Sequence, residues 1–434
     1  MSSKQHDALP ATPAGESAPA EVLGAPLILP CGSVLSNRLA KAAMTEQLAT
    51  LDGEPTARMH RLYSRWGGSG AGLLITGNIM IDRTALGEPR NVVLEDARHA
   101  EALRAWTAAA TARHAQVWAQ LNHPGRQTPR TLSRTPVAPS AVPLSGGVLR
   151  TGFATPQALT RSEIHGLINR FAAAARVAVE CGFSGVQIHA AHGYLASQFL
   201  SPLVNRRTDE WGGDPSRRMR FLLAVVESVR HTVGSTVPIG VKLNSADFQR
   251  GGFDEAESMA VVTELEQAGV DLLEISGGTY EGLAMVGYDN REARESTRRR
   301  EAYFLDYAEQ VRARTRIPLM LTGGLRTAAG MAHAVSSGAV DLIGLARPLA
   351  LEPDLPHRLL DGAATASAIP PTFSGATRTG AAGESLWYTG QIWRLADGKD
   401  SDPELSMTGG LVRYSGATVR DLTLRALRRW CRRG

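Results

Sequence analysis

Three side chains able to do chemistry crowd one short stretch: His189, His192 and Tyr194, in Gly185-Val-Gln-Ile-His-Ala-Ala-His-Gly-Tyr194. Two imidazoles three residues apart, where a β-rich run gives way to a loop, can ligate a metal or donate hydrogen bonds to one substrate oxygen. The metal reading lacks an acidic residue at the neighbouring strand ends to complete a ligand set. The oxygen reading polarises a carbonyl and stabilises the enolate-like charge that develops on it. A phenol stays protonated well above neutrality, so Tyr194 can then give a proton. Lys242 also has two readings, a Schiff-base amine or a fixed positive charge beside a cofactor that becomes anionic. Thr322-Gly-Gly324 and Ala346-Arg347 suit a phosphate: backbone amides approach an anion at Gly323 and Gly324, and a guanidinium adds its fork. Each feature has a plainer counterpart, namely a core histidine, a snorkelling lysine, a turn and a surface ion pair.

These residues gain meaning from the elements that carry them. From residue 37 to 361, short Val/Ile/Leu-rich runs alternate with longer helical patterns. The runs are Leu39–Met44, Gly72–Met80, Val117–Asn122, Gly185–His189, Pro238–Asn244, Leu272–Gly278, Pro318–Gly324 and Asp341–Arg347. They are mostly continuous in apolar character, as strands covered on both faces are. Helices are expected at Arg98–Gln116, Glu163–Glu180, Ser216–Val233, Glu255–Ala268 and Tyr303–Arg314. Thr160-Arg-Ser-Glu163 has the form of a capping box, and Gly182, Gly269 and Gly338 stand where helices end. Eight such units predict an α/β fold, a (β/α)8 TIM barrel whose chemistry gathers at the carboxyl ends of the strands. A doubly wound sheet would want a glycine-rich turn after its first strand, and Lys41-Ala-Ala-Met-Thr45 has none. Most of the strand ends are polar or glycine: Met44-Thr45, Thr76-Gly-Asn78, Gln120-Leu-Asn-His123, His189 to Tyr194, Lys242-Leu-Asn244, Ser276-Gly-Gly278, Thr322-Gly-Gly324 and Ala346-Arg347.

Two additions interrupt the pattern. A Pro- and Gly-rich loop after the third strand, Pro124–Thr160, is too long for an ordinary connection and is expected to form a hairpin or lid. Residues 1–24 read as a disordered lead-in, 25–362 as the barrel, and 363–434 as a linker and helical appendage (Ser385–Ala396) with a basic tail. The 434 residues carry a formal charge of +5, which the five arginines of the last ten residues equal by themselves. That tail reads as the solvated end of a helix rather than a nucleic-acid groove. No apolar run reaches the roughly eighteen residues of a membrane span, and the N-terminus lacks a secretory pattern. Cys31, Cys181 and Cys431 stand far apart, which argues against an iron–sulfur cluster, a cysteine zinc site or a disulfide framework. The expected setting is the cytoplasm, with neither membrane nor nucleic acid as partner and oligomeric state open.

Beyond these readings, the chain resembles the Old Yellow Enzyme family of NAD(P)H:flavin oxidoreductases. The resemblance rests on Asn37-Arg38, Met44-Thr45, Gln120-Leu-Asn-His-Pro-Gly-Arg-Gln127, the block Gly185–Tyr194, Gln198-Phe-Leu-Ser-Pro-Leu203, Asn205-Arg-Arg-Thr-Asp-Glu-Trp-Gly-Gly213 and the ends of strands seven and eight, in order from about residue 25 to 360. It implies non-covalent FMN at the top of the barrel, reduced by NADH or NADPH, and hydride transfer to the β-carbon of an electron-poor alkene such as an enone. By the same resemblance His189 and His192 hold the substrate's carbonyl or nitro oxygen, and Tyr194 protonates the α-carbon. Cofactor contacts fall to Ala43, Met44 and Thr45, to Gly77 and Gln120, to Lys242 near N1 and O2, and to Gly323, Gly324, Ala346 and Arg347 at the phosphate. The chain departs from many relatives in having Ala43 for Pro, Thr45 for Cys, Lys242 for Arg and Gln47 for an aromatic residue, which implies a wider, more polar pocket. Desaturation or isomerisation within the family, a Schiff-base lyase built on Lys242 and a non-catalytic flavin-binding protein remain as alternatives.

Overall fold

The computed structural model describes residues 17–145, 151–276, 305–367 and 378–406, with 409, 416, 419–421 and 423–424. Eight parallel strands close a barrel: β1 (Leu39–Lys41), β2 (Leu73–Ile75), β3 (Gln116–Asn122), β4 (Gly185–Ala190), β5 (Ile239–Asn244), β6 (Leu272–Ser276), β7 (Leu319–Thr322) and β8 (Leu342–Leu345). Closure runs through Leu345 of β8 beside Lys41 of β1, and Gln187 of β4 beside Gln120 of β3.

Inward positions alternate along each strand, and their chemistry changes with height. The lower layer is apolar: Ala40, Leu73, Trp118, Leu272, Met320 and Leu342, sealed from below by Leu27, Leu29 and Leu35. Leu27 and Leu35 come from a small hairpin in which Leu27–Ile28 pairs antiparallel with Val34–Leu35. The Trp118 ring fills this space because Gly185 and Gly240 face it without side chains; a Cβ on Gly185 would lie 2.7 Å from its Nε1. Two residues further along, the layer turns polar with Gln120, Gln187, Lys242, Glu274 and Thr322. The period-two pattern therefore builds a dry base and a wet mouth from the same strands.

Helices cover the outside: α1 (Ala57–Gly67), α2 (Ala100–Thr111), α3 (Arg161–Glu180), α4 (Pro215–Val233), α5 (Glu255–Gln267) and α6 (Ala328–Ser336). The Thr160 hydroxyl accepts from Glu163 N at 3.2 Å while Glu163 Oε2 accepts from Thr160 N at 2.8 Å, so the capping box forms as read. Gly182, Gly269 and Gly338 all take left-handed φ values, between 75° and 94°.

Several boundaries differ from expectation. β1 stops at Lys41 rather than Met44, because the chain then turns away to form one wall of the mouth. The run Gly72–Met80 breaks at Thr76-Gly-Asn78, leaving Ile79–Met80 as a separate strand beside the end of β3. The helix expected over 98–116 is a 3-10 turn (Ala97–His99) followed by α2, ending at Thr111 before His114 adopts a φ of 69°. Gly277 and Gly278, Tyr303, residues 1–16 and the arginines of the tail lie outside the described residues.

The two additions also need correction. In the Pro124–Thr160 insertion, Val137–Ala138 and Gln157–Ala158 pair parallel, not as a hairpin. Arg207 holds this insertion down, its Nη1 donating to Pro139 O at 2.9 Å and Leu159 O at 2.5 Å. Disorder does not extend to residue 24, since Pro19–Gly24 is a helix with Leu23 fully buried. The C-terminal helix, α7 (Arg378–Ala396), begins seven residues before Ser385 and packs on α1. Trp387, Ile392, Trp393 and Leu395 join the main core. Arg58–Asp397 and Arg65–Asp400 ion pairs, each 2.6 Å, fasten the next turn.

Candidate active site

The mouth of the barrel holds a cavity lined by Ala43, Met44, Thr45, Asn78, Glu88, Gln120, His189, His192, Tyr194 and Lys242. Residues far apart in the chain meet there because each sits at the upper end of a strand or just beyond it. β4 supplies the histidines. The His189 and His192 rings lie edge to face at 5.1 Å, and His189 meets the Tyr194 ring the same way at 4.8 Å. That turn needs unusual backbone: His192 has φ 60° and Gly193 φ 74°. A left-handed non-glycine residue is costly, and its neighbours hold it in place. His192 N donates to Asn244 Oδ1 at 3.2 Å, Gln127 Nε2 donates to His192 O at 3.0 Å, and Gln198 Nε2 donates to Gly193 O at 2.8 Å.

Both imidazoles are neutral near pH 7. Burial depresses their pKa values well below the usual range, and the Lys242 charge adds to it; for His189 the neighbouring His192 adds too. The Ala191 amide donates to His189 Nδ1 at 3.2 Å, so in the neutral ring the proton sits on Nε2. His192 Nε2 lies 2.7 Å from Ser276 Oγ. The Tyr194 hydroxyl, buried, lies 3.5 Å from Asn78 Nδ2, and Asn78 Oδ1 accepts from Asn122 Nδ2 at 3.3 Å.

Beneath the cavity runs a chain of hydrogen bonds that sequence reasoning missed. Gln120 Nε2 donates to Gln187 Oε1 (2.7 Å) and Gln187 Nε2 to Glu274 Oε2 (2.8 Å). Glu274 Oε1 accepts from Lys242 Nζ at 2.8 Å and from Thr322 Oγ1 at 2.7 Å. Lys242 is therefore a cation clamped by a fully buried carboxylate, which suits a fixed charge and opposes the free neutral amine that Schiff-base formation needs. The signal for Glu274 was present: a lone acid inside the apolar run Leu-Leu-Glu-Ile.

A second missed carboxylate, Glu46, braces the β1 side. Tyr63 OH donates to its Oε1, as does the Gly77 amide at 2.9 Å. A Cβ at Gly77 would collide with Met44 O and the Glu46 carboxylate. Glycine is required at 77 by the protein's own backbone, whatever lies above it. The Glu46 carbonyl in turn accepts from Trp393 Nε1 of α7 at 2.9 Å.

At the far rim Gly323 and Gly324 take φ values of 109° and 85°, open only to glycine. Ala346 precedes the short helix Arg347–Leu351. Arg347 Nη1 pairs with Glu384 of α7 at 2.7 Å and lies over the Tyr388 ring. Burial pushes the Tyr388 phenol up to about 12, while Arg347 and Arg326 both favour its ionised form. Two guanidinium groups thus flank this corner, of which the sequence reading singled out one. Thr322, Gly323, Gly324, Ala346 and Arg347 do not line the cavity around the histidines.

Comparison with known proteins agrees with this geometry. The family model for the NADH:flavin oxidoreductase / NADH oxidase family matches residues 25–365. The NADH-dependent flavin oxidoreductase iliE of Hypocrea jecorina (strain QM6a) is 37% identical over 77% of this chain and 88% of that protein. Its namesake from Neonectria sp. (strain DH2), also 37% identical over 77% of this chain, is matched over only 46% of its own length. Among solved structures, the Old Yellow Enzyme homologue from Zymomonas mobilis superposes with a TM-score of 0.67 at 29% identity, covering 82% of this chain and 98% of that one. A barrel with a histidine pair and tyrosine at its mouth, matched over most of its length, places this chain in the Old Yellow Enzyme family of FMN-dependent NADH:flavin oxidoreductases.

Proposed function

We propose that the protein uses NADH to reduce the C=C bond of an electron-poor alkene conjugated to a carbonyl or similar group. The observation that carries this reading is the neutral His189–His192 pair, with the His189 proton on Nε2, beside a buried Tyr194. Uncharged imidazoles, one with its N–H at Nε2, suit an oxygen that gains charge during reaction, and a phenol suits protonation of the adjacent carbon.

The residues present fit FMN. Thr45 Oγ1 is buried at the cavity wall without a hydrogen-bond partner, a vacancy that a ring carbonyl satisfies. Gln120 offers an amide to the ring edge and the Glu274-clamped Lys242 a positive charge. Gly323, Gly324, Ala346 and Arg347 are assigned to the phosphate, whose oxygens the Arg347 guanidinium would hold. When bound, FMN would supply the hydride chemistry, linking nicotinamide oxidation to reduction of the β-carbon. The protein orients the alkene through His189 and His192, and Tyr194 transfers its proton to the α-carbon.

Purified protein is expected to be yellow and to oxidise NADH anaerobically when a cyclic enone is added. His189→Ala with His192→Ala keeps the flavin absorbance but loses enone turnover by a hundredfold or more, since each such donor contributes on the order of 3 kcal/mol. Full enone turnover in that double variant overturns the assignment.

A further inference from the structure

One wall of the cavity has no part in the reaction just described. Glu88 stands on the loop between Ile79–Met80 and Val92–Val93 and lines the cavity together with Thr45, Asn78 and Lys242. A buried asparagine sets its position: Asn91 Nδ2 donates to Glu88 Oε2 at 2.8 Å, and Asn91 Oδ1 accepts from the Glu88 amide at 2.6 Å. The Thr45 hydroxyl is near enough to favour the ionised carboxylate. Burial and the charge of Glu46 work the other way and raise the Glu88 pKa.

Among the described residues, the cations nearest this carboxylate are committed elsewhere. Lys242 is held by Glu274 at 2.8 Å. Lys41 is sealed behind β1, bonded to Ala42 O at 3.1 Å and Ile75 O at 2.8 Å. Arg90, two residues from Glu88, turns away to form a two-pronged pair with Asp421 and to donate to Ala49 O at 3.1 Å. Among the described residues no ion pair includes Glu88. The other described lining residues are the neutral imidazoles, Tyr194, Asn78, Gln120 and Thr45, with apolar Ala43 and Met44. A partly desolvated carboxylate without a counter-charge favours a ligand that brings one.

We propose that Glu88 is a specificity-determining residue that selects electron-poor alkenes bearing an ammonium or other fixed cationic group. The proposal rests on the reading of this cavity as the alkene site. It assigns the charge of the substrate, which the histidines and Tyr194 leave undefined because they address only the activated double bond.

Two enones of the same shape test it, one ending in a trimethylammonium group and the other in a tert-butyl group, with their saturated ketones as non-reacting ligands. The as-purified protein should favour the cation by about tenfold in kcat/KM, and by a similar factor in the calorimetric Kd of the saturated pair. Glu88→Gln, which keeps the Asn91 contact, should bring both ratios close to one. Glu88→Lys should invert them, with flavin absorbance reporting that each variant is folded and loaded. Equal use of the two enones by the unmodified protein, or a preference that survives Glu88→Gln, overturns the proposal and leaves alkene reduction standing. Turnover of neither enone removes the alkene reading, and this proposal with it.

Discussion

Protonation states divide the labour among the mouth residues. In the proposed reaction Tyr194 is needed only when carbon is protonated, so Tyr194→Phe should slow alkene reduction by about a hundredfold or more while NADH still reduces the flavin at close to its normal rate. Stopped-flow measurement of the two half-reactions separates them, and equal slowing of both removes the proton-donor role. Glu274→Gln should act differently, because it strands the Lys242 ammonium in a buried site. Breaking a buried pair costs about 3–5 kcal/mol, read as a lower melting temperature. What the sequence revealed at this scale was whatever lay at a strand end with a reactive side chain: His189, His192, Tyr194, Thr45, Gln120 and Lys242. Glu46, Gln187 and Glu274 stayed hidden because their function is to hold those residues, and the partners of their side chains lie 17 to 87 positions away. Glu88 was invisible for another reason, since only the folded loop brings it to the cavity wall.

Single turns set the strength of individual elements. Thr160→Ala removes one half of the capping box of α3 and should cost about 1 kcal/mol, visible in a denaturant titration. It should also release the hold that the Thr160 hydroxyl exerts on Glu163, while the backbone amide of residue 160 goes on depressing the Glu163 pKa. Trp393→Ala should cost more, on the order of 3–5 kcal/mol, because it empties a buried site on α7 and frees the Glu46 carbonyl. Faster loss of flavin fluorescence quenching on dilution would accompany it if the β1 wall loosens as the hydrogen bond implies; unchanged flavin release would confine Trp393 to stability. Elements with a repeating pattern were legible: the strands were found in order, and the capping box of α3 and the glycines after α3, α5 and α6 match their sequence signals. Their ends were less so, because β1 and β2 stop where tertiary contacts, not apolar composition, take the chain out of the sheet. The parallel pairing inside the 124–160 insertion depends on Arg207, a residue outside it, and no local pattern announces that.

For the molecule as a whole, buried neutral histidines set the response to acid. His123 is held down to about 4 by burial, against an ordinary 6.5, and His189 and His192 are also depressed. The unfolded chain therefore binds protons between pH 6.5 and 4 that the folded chain refuses. The corresponding stability is complete above pH 6.5 and drains away as pH falls towards 4. His123 alone contributes on the order of 3 kcal/mol to that loss. Melting temperatures across this window should decline steeply, and His123→Gln should flatten the decline; a flat profile for the unmodified protein would contradict the burial argument. The closed barrel was the most legible feature of all, because eight apolar runs separated by helices leave few other ways to bury both sheet faces. The grip of α7 on it was not, since the partners Glu46 and Trp393 stand 347 residues apart. That separation has a consequence for biosynthesis. A ribosome delivers the barrel's opening strand early and its brace almost last, so the β1 wall of the mouth is complete only after α7 has emerged.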